Sequence, residues 1–390
     1  MSTIISVDGC TVRDSRGEET VAVTMRLDDG TEVFASVPQG KSRGTHEAVS
    51  VVPAEAVHNI REHITSMIIG KDPADQQSID AMLVALDNSP QRSELGANTI
   101  LAVSYATARA AAVSRDVPLW QHLRDTYDVR GGVQPICYMN MVNGGAHAAS
   151  NIVFQEYLVG IRTDSIEKAV DMGKCIYGAL GKRVQKRIGR TKLSLGDEGG
   201  YALNWRDDME PFEVLHETVE ALGMTKNVVY GLDAAVGQIS RTPEELTSQY
   251  QRLVEVFQLQ YLEDPFGDDD FKNFTALHKT LGDDLYIIGD DLTVTQIERM
   301  EQAAQENAVN GVIIKPNQVG TVSETFAAVA YAKERGWHTV VSHRSGETED
   351  DFIADLAYAV GADGIKFGVP VQPERIAKYT RLMNIERAQT

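Results

Sequence analysis

Six ionisable residues close six successive apolar runs in the second half of this chain. They are Asp233 after VVYGL, Glu263 after LQYL, Asp290 after LYIIG, Lys315 after GVII, His343 after TVVS and Lys366 after GI. The intervals are 30, 27, 25, 28 and 23 residues, each the length of one strand, one helix and two loops. Hard carboxylate oxygens on three consecutive strands are a ligand set for Mg2+, completed by water and substrate oxygens. A lysine beside such a cluster either loses its proton and serves as a base or stays charged and holds an anionic group. The residues alone leave open whether Lys315 or Lys366 is the base. A single carboxylate at such a turn would suit a helix N-cap equally well. Six in register argue for a site.

Other segments add donors and acids. Gly196-Asp197-Glu198-Gly199-Gly200 sets two acids between glycines, which lets the backbone approach a ligand closely and offers Glu198 as a general acid if burial raises its pKa. In SHRSGETED, Arg344 and Ser345 suit a phosphate or phosphonate group. NGGAHAASNIVFQEY carries His147, Gln155 and Glu156. Residues 38–44, PQGKSRG, contain two glycines and no apolar side chain beyond the proline, and read as a mobile flap.

The elements that must position these residues are legible too. Short β-branched runs alternating with longer helical segments read as βα units around a parallel sheet. In a (β/α) barrel the C-terminal strand ends share one mouth, where the active site lies. Residues 3–37 alternate in period two around the turn Asp28-Asp29-Gly30, which predicts an antiparallel meander. Residues 53–69, 73–86 and 96–115 read as helices, and the barrel begins at PICYMNMVNGG near residue 135. The expected division is an α+β cap over residues 1–130 and a barrel over 131–390, within the 390 residues of the chain.

Composition narrows the partners. With 56 acids against 37 bases the formal charge is −19, so nucleic acid and anionic membranes are excluded as partners. An anionic substrate requires local cations or metals that reverse the field. Cys10, Cys137 and Cys175 are odd in number and lack CxxC spacing, which points away from disulfides and zinc and towards a reducing, cytoplasmic compartment. No apolar stretch approaches the roughly 20 residues that span a bilayer.

These strings resemble enolase. DSRG, GANTILAVSYATARAAA, NGGAHA, FQEY, GDEGG, GLDAA, LEDPF, GDDLTVT, IKPNQVGT, VSHRSGETEDDFIADL and GIKFG followed by ERIAKY match the family almost end to end. The resemblance implies an α/β fold: an N-terminal α+β cap and a C-terminal modified (β/α)8 barrel, commonly as a homodimer or higher homo-oligomer. It implies a hydro-lyase that removes water from 2-phosphoglycerate through an enediolate to give phosphoenolpyruvate, with two Mg2+ per site. Carried over by residue, Asp233, Glu263 and Asp290 ligate the tightly held Mg2+, and Ser42 on the flap helps bind the second. Lys315 takes the C2 proton, while Glu198 with Glu156 assists departure of the hydroxyl. Lys366 holds the substrate carboxylate, Arg344 and Ser345 bind the phosphoryl group, and His147, Gln155 and His343 line the pocket.

Three stretches depart from the family pattern. The flap reads Gln39-Gly40-Lys41-Ser42-Arg43-Gly44 where small residues are usual, Glu18-Glu19 replaces Asn-Pro after SRG, and the segment between Asp233 and Glu263 is short. If Lys41 and Arg43 face the substrate, the same dehydration acts on a carboxylated phosphonate analogue, as in the carboxyphosphonoenolpyruvate synthase branch. A reading from another class is a non-catalytic binding protein on the same fold, against which every catalytic position is retained.

Overall fold

The alternating N-terminal residues form the expected meander, β1 (Ile4–Arg13), β2 (Glu19–Leu27) and β3 (Glu32–Ser36), antiparallel in that order. Gly30 turns β2 into β3 at φ +90°, a conformation that a Cβ would strain. The helix Ala97–Ser114 packs on β2 and β3. Its small side chains, including Ala102, Ala106 and Ala110, are fully buried, so helix and sheet approach closely. This computed structural model describes residues 2–41, 44–129, 131, 134–145, 148, 150–189, 191–236 and 241–389. Among them no helix is long and apolar enough to cross a membrane.

The barrel strands are β4 (Ile136–Asn143), β5 (Glu156–Ile161), β6 (Tyr201–Ala202), β7 (Val228–Asp233), β8 (Leu259–Glu263), β9 (Tyr286–Gly289), β10 (Gly311–Ile314), β11 (His338–Ser342) and β12 (Gly364–Lys366). Eight of them close a ring in the order β4-β5-β7-β8-β9-β10-β11-β12, and β12 pairs back onto β4. The two-residue β6 hangs on β4. The six strands expected from the apolar runs are parallel. β5 differs, running antiparallel to both β4 and β7. Residues 144–155 link β4 to β5 with no α-helix among those described, so the chain returns as a hairpin instead of crossing over.

The interior is packed. Tyr138, Leu158, Val229, Tyr261, Ile288, Ile313 and Val340 form a buried cluster separate from the larger core outside the ring. Successive strand side chains point to opposite faces, so residues two apart share a face. Glu263 follows Tyr261 by two, Asp290 follows Ile288 by two, Lys315 follows Ile313 by two, and Asp233 follows Val229 by four. Glu263, Asp290 and Lys315 are thus the next inward positions above a layer of apolar plugs, and Asp233 is the second, with Gly231 between. β5 runs the other way, so Glu156 precedes its plug Leu158 by two and still reaches the same mouth, opposite Asp233.

The meander and its helices sit against this mouth through buried polar joints. Arg109 clamps Asp350 with two bonds of 2.7 and 2.9 Å. Asp80 accepts from the Ser323 amide and hydroxyl at 2.9 and 2.7 Å. Gln39 and Gly346 exchange backbone bonds of 2.8 and 2.9 Å, which docks the first half of the flap on the SHRSGETED loop.

Candidate active site

Lys366, at the end of β12, is buried and donates to Asp233 Oδ2 and Glu263 Oε2, both at 2.8 Å. Its Nζ also lies 3.1 Å from Glu156 Oε2. Burial works against the ammonium, but Asp233, Glu156 and Glu263 outweigh it and hold the pKa well above that of free lysine. The carboxylates respond in kind. Burial and then the Glu198 charge push Glu156 well up. Burial and then Asp233 push Glu263 up to about 8. Gln155 adds an amide donor to Asp233 at 3.4 Å.

Lys315 makes the second cluster with Asp290, in direct ion-pair contact. Burial opposes both charges; their mutual attraction outweighs it, lowering the Asp290 pKa and raising that of Lys315. Gln318 donates to the other Asp290 oxygen at 3.0 Å. Thr295 donates to Gln318 Oε1 at 2.7 Å and accepts the Lys315 backbone amide at 3.0 Å, so one hydroxyl orients the Gln318 side chain and holds the Lys315 backbone.

Glu198 accepts from Asn140 at 3.1 Å and lies 3.5 Å from His343 Nε2. Burial, then Arg375, depresses the His343 pKa to about 3, which leaves a neutral imidazole at physiological pH. The glycines of this turn are required by contact: a Cβ at Gly196 or Gly200 would lie 2.5 Å from Asn143 Oδ1. On the opposite side Arg344 makes a two-pronged pair with Glu47 and reaches Asn317 Oδ1 at 3.0 Å. Its backbone and that of Ser345 are anchored from below by the fully buried Arg375, at 2.8 and 2.9 Å. Ser345 Oγ accepts the Lys41 amide at 2.8 Å, and Lys41 Nζ reaches Asp197 at 3.1 Å. Ser42, Arg43 and His147 lie outside the described residues.

The donor set suits a hard divalent cation. Asp233, Glu263 and Asp290 end or follow three adjacent parallel strands, and fully buried Glu263 Oε1 has no hydrogen-bond partner among the described residues. Such an orphaned oxygen is costly unless it serves a ligand. Among the described residues, the acids whose ligand atoms all lie within 4.8 Å of one another are instead Asp264, Asp290 and Asp291. The Asp264 oxygens, however, already accept the amides of Asp290 and Asp291 at 2.9 and 2.8 Å, so Asp264 serves to hold the Asp290 backbone.

Sequence reasoning missed Glu47, Asn140, Asn317, Gln318 and Arg375. Asn317 and Gln318 directly follow Lys315-Pro316, a signal that was available. Glu47 stands 297 positions from Arg344 and had none.

Comparison with known proteins agrees with this geometry. Residues 4–123 match the family described as enolase, N-terminal domain, and residues 132–240 and 237–390 match enolase, C-terminal TIM barrel domain. Enolase from Methanopyrus kandleri is 39% identical over 412 aligned residues, covering 99% of this chain and 96% of the relative. Enolase from Methanocaldococcus jannaschii is 39% identical, with 96% and 93% covered. That from the plant Solanum lycopersicum is 35% identical, with 99% and 95% covered. Strand order, the buried acid–lysine clusters and near full-length similarity converge: the chain belongs to the enolase family.

Proposed function

We propose that this protein is a Mg2+-dependent hydro-lyase that reversibly removes water from 2-phosphoglycerate to give phosphoenolpyruvate. The observation that supports it most is the convergence of Lys315, Lys366, the three carboxylates and Glu198 on one barrel mouth in a chain of this family. Asp233, Glu263 and Asp290 are the residues suited to the tightly held cation, and Ser42 is assigned to a second by family resemblance. Bound Mg2+ would supply positive charge beside the substrate carboxylate, which lowers the cost of removing the adjacent proton.

The chain's own groups then divide the work. Lys315 Nζ accepts the C2 proton in its neutral form, which requires that Asp290, whose charge raises the lysine pKa, be engaged instead as a ligand of bound Mg2+. The C2–H electrons pass into the substrate carboxylate to give an enediolate; they then return to form the C2–C3 double bond as the C3–O bond breaks, and Glu198, with Glu156 near it, protonates the departing hydroxyl so that it leaves as water. Lys366 holds the substrate carboxylate, and Arg344 and Ser345 the phosphoryl group. Gln155, His147 and neutral His343 complete the lining. Lys41 already has Asp197 as its counter-charge, so it supplies no argument for a substrate with an additional anionic group. Further parts of the same reading are a boundary near residues 130–131, a homodimeric assembly and a cytoplasmic place of action, the last in keeping with three free cysteines. The test is the absorbance rise of phosphoenolpyruvate from 2-phosphoglycerate with Mg2+. Folded, Mg2+-binding protein with no turnover would overturn the proposal.

A further inference from the structure

We propose that Glu47 is a positioning residue that orients Arg344 for the substrate's phosphoryl group and couples that arginine to the end of the flap and to Asp290. The inference rests on the dehydration reading, through the role given there to Arg344.

Glu47 follows the flap, and its backbone amide bonds Gly44 O at 3.2 Å while Gly44 N–H reaches Glu47 Oε1 at 3.3 Å. Two neighbours fix this turn from outside: the Thr45 amide donates to Asp268 at 3.2 Å and His46 Nε2 contacts Asp269 at 2.9 Å. The Glu47 carboxylate then crosses to the barrel. Arg344 Nη1 donates to Oε2 at 2.9 Å and Nη2 to Oε1 at 3.0 Å. This fork-on-fork geometry fixes the guanidinium plane as one bond could not. Gln318 Nε2 contacts the same Oε1 at 3.3 Å and Asp290 Oδ1 at 3.0 Å. Its amide cannot be reversed, because its oxygen would then face the Glu47 and Asp290 carboxylate oxygens, which only accept. One carboxylate therefore joins the flap, the anion-binding arginine and a metal-side acid.

Electrostatics rules out a simpler role. A buried carboxylate against Arg344 reduces the attraction of that arginine for an anion. Buried ion pairs are also weak sources of net stability. Orientation is what remains, and misplacing a binding group by about 1 Å costs roughly 100-fold in rate.

The test uses the full chain and four proteins besides wild type: Glu47→Gln, Glu47→Asp, Arg344→Lys and the double variant Glu47→Gln/Arg344→Lys. The readouts are KM and kcat for 2-phosphoglycerate and the affinity for inorganic phosphate by calorimetry. Glu47→Gln, which keeps shape and removes the fork, should raise KM at least about tenfold and weaken phosphate in parallel, as expected for lost binding orientation. Glu47→Asp should recover most of that loss. In the double variant Glu47→Gln should add less than about threefold to Arg344→Lys, because the two act as a unit. An unchanged KM with activity lowered only in proportion to folded protein would overturn the inference, as would fully additive effects. If Glu47→Gln does not fold, Glu47→Asp carries the same cycle with Arg344→Lys. The phosphate titration needs no turnover, so failure of this inference is distinguishable from failure of the dehydration reading.

Discussion

Replacing Lys366 by methionine removes one charge from the centre of three buried acids. The ammonium lies 2.8 Å from Asp233 Oδ2 and from Glu263 Oε2, and 3.1 Å from Glu156 Oε2. Each of the two shorter contacts is worth about 6 kcal/mol of gross Coulomb attraction at an effective dielectric of 20. Desolvation of the lysine cancels much of that, and removing one partner of a buried pair costs about 3–5 kcal/mol net. The raised Lys366 pKa means this stabilisation is complete at neutral pH and is lost only as pH rises through the folded value. We expect Lys366→Met to lose about 3–5 kcal/mol in urea denaturation with chelator present. Mg2+ should then stabilise the variant more than it stabilises wild type, because the cation becomes the counter-charge for Asp233 and Glu263. At 100 times Kd a ligand contributes about 2.7 kcal/mol, so a tenfold tighter site is resolvable by its additional 1.4 kcal/mol or so. Equal or smaller Mg2+ stabilisation of the variant would refute the assignment of these acids to the metal.

Lys315→Ala should abolish exchange of the substrate's C2 proton with deuterated water, read by NMR, whereas Glu198→Gln should slow dehydration and retain some exchange. Lys41→Ala should cost no more than about 1 kcal/mol in kcat/KM, since its pair with Asp197 is half exposed; a large loss confined to a carboxylated substrate analogue would revive that reading. Burial, only partly offset by hydrogen bonds from Ser104, Ser323 and Gln76, raises Asp80 from 3.8 to about 6. The unfolded chain releases this proton first, so Asp80 makes stability fall by about 3 kcal/mol as pH rises from roughly 4 to 6. Stability curves of wild type and Asp80→Asn should diverge by that amount across the window, and parallel curves would contradict it.

Asp233, Glu263, Asp290, Lys315 and Lys366 were legible from the sequence because strand periodicity is local. An apolar run that ends in a charge states both where a strand stops and, by parity with Tyr261, Ile288 or Ile313, which way the charge faces. The meander and the Ala97–Ser114 helix were legible for the same reason. What the sequence alone did not determine was the direction of β5. A hairpin and a crossover can start from the same apolar runs, and only pairing with β4 and β7 brings Glu156 beside Lys366. Nor did it determine which charge meets which. Glu47 and Arg344, Asn140 and Glu198, and Arg375 beneath Ser345 come from segments with no shared periodicity. Their pairing follows from closing the ring and seating the flap against its mouth. The perturbed charges at Glu156, Glu263 and His343 likewise depend on burial and on those distant neighbours, which exist only in the assembled fold.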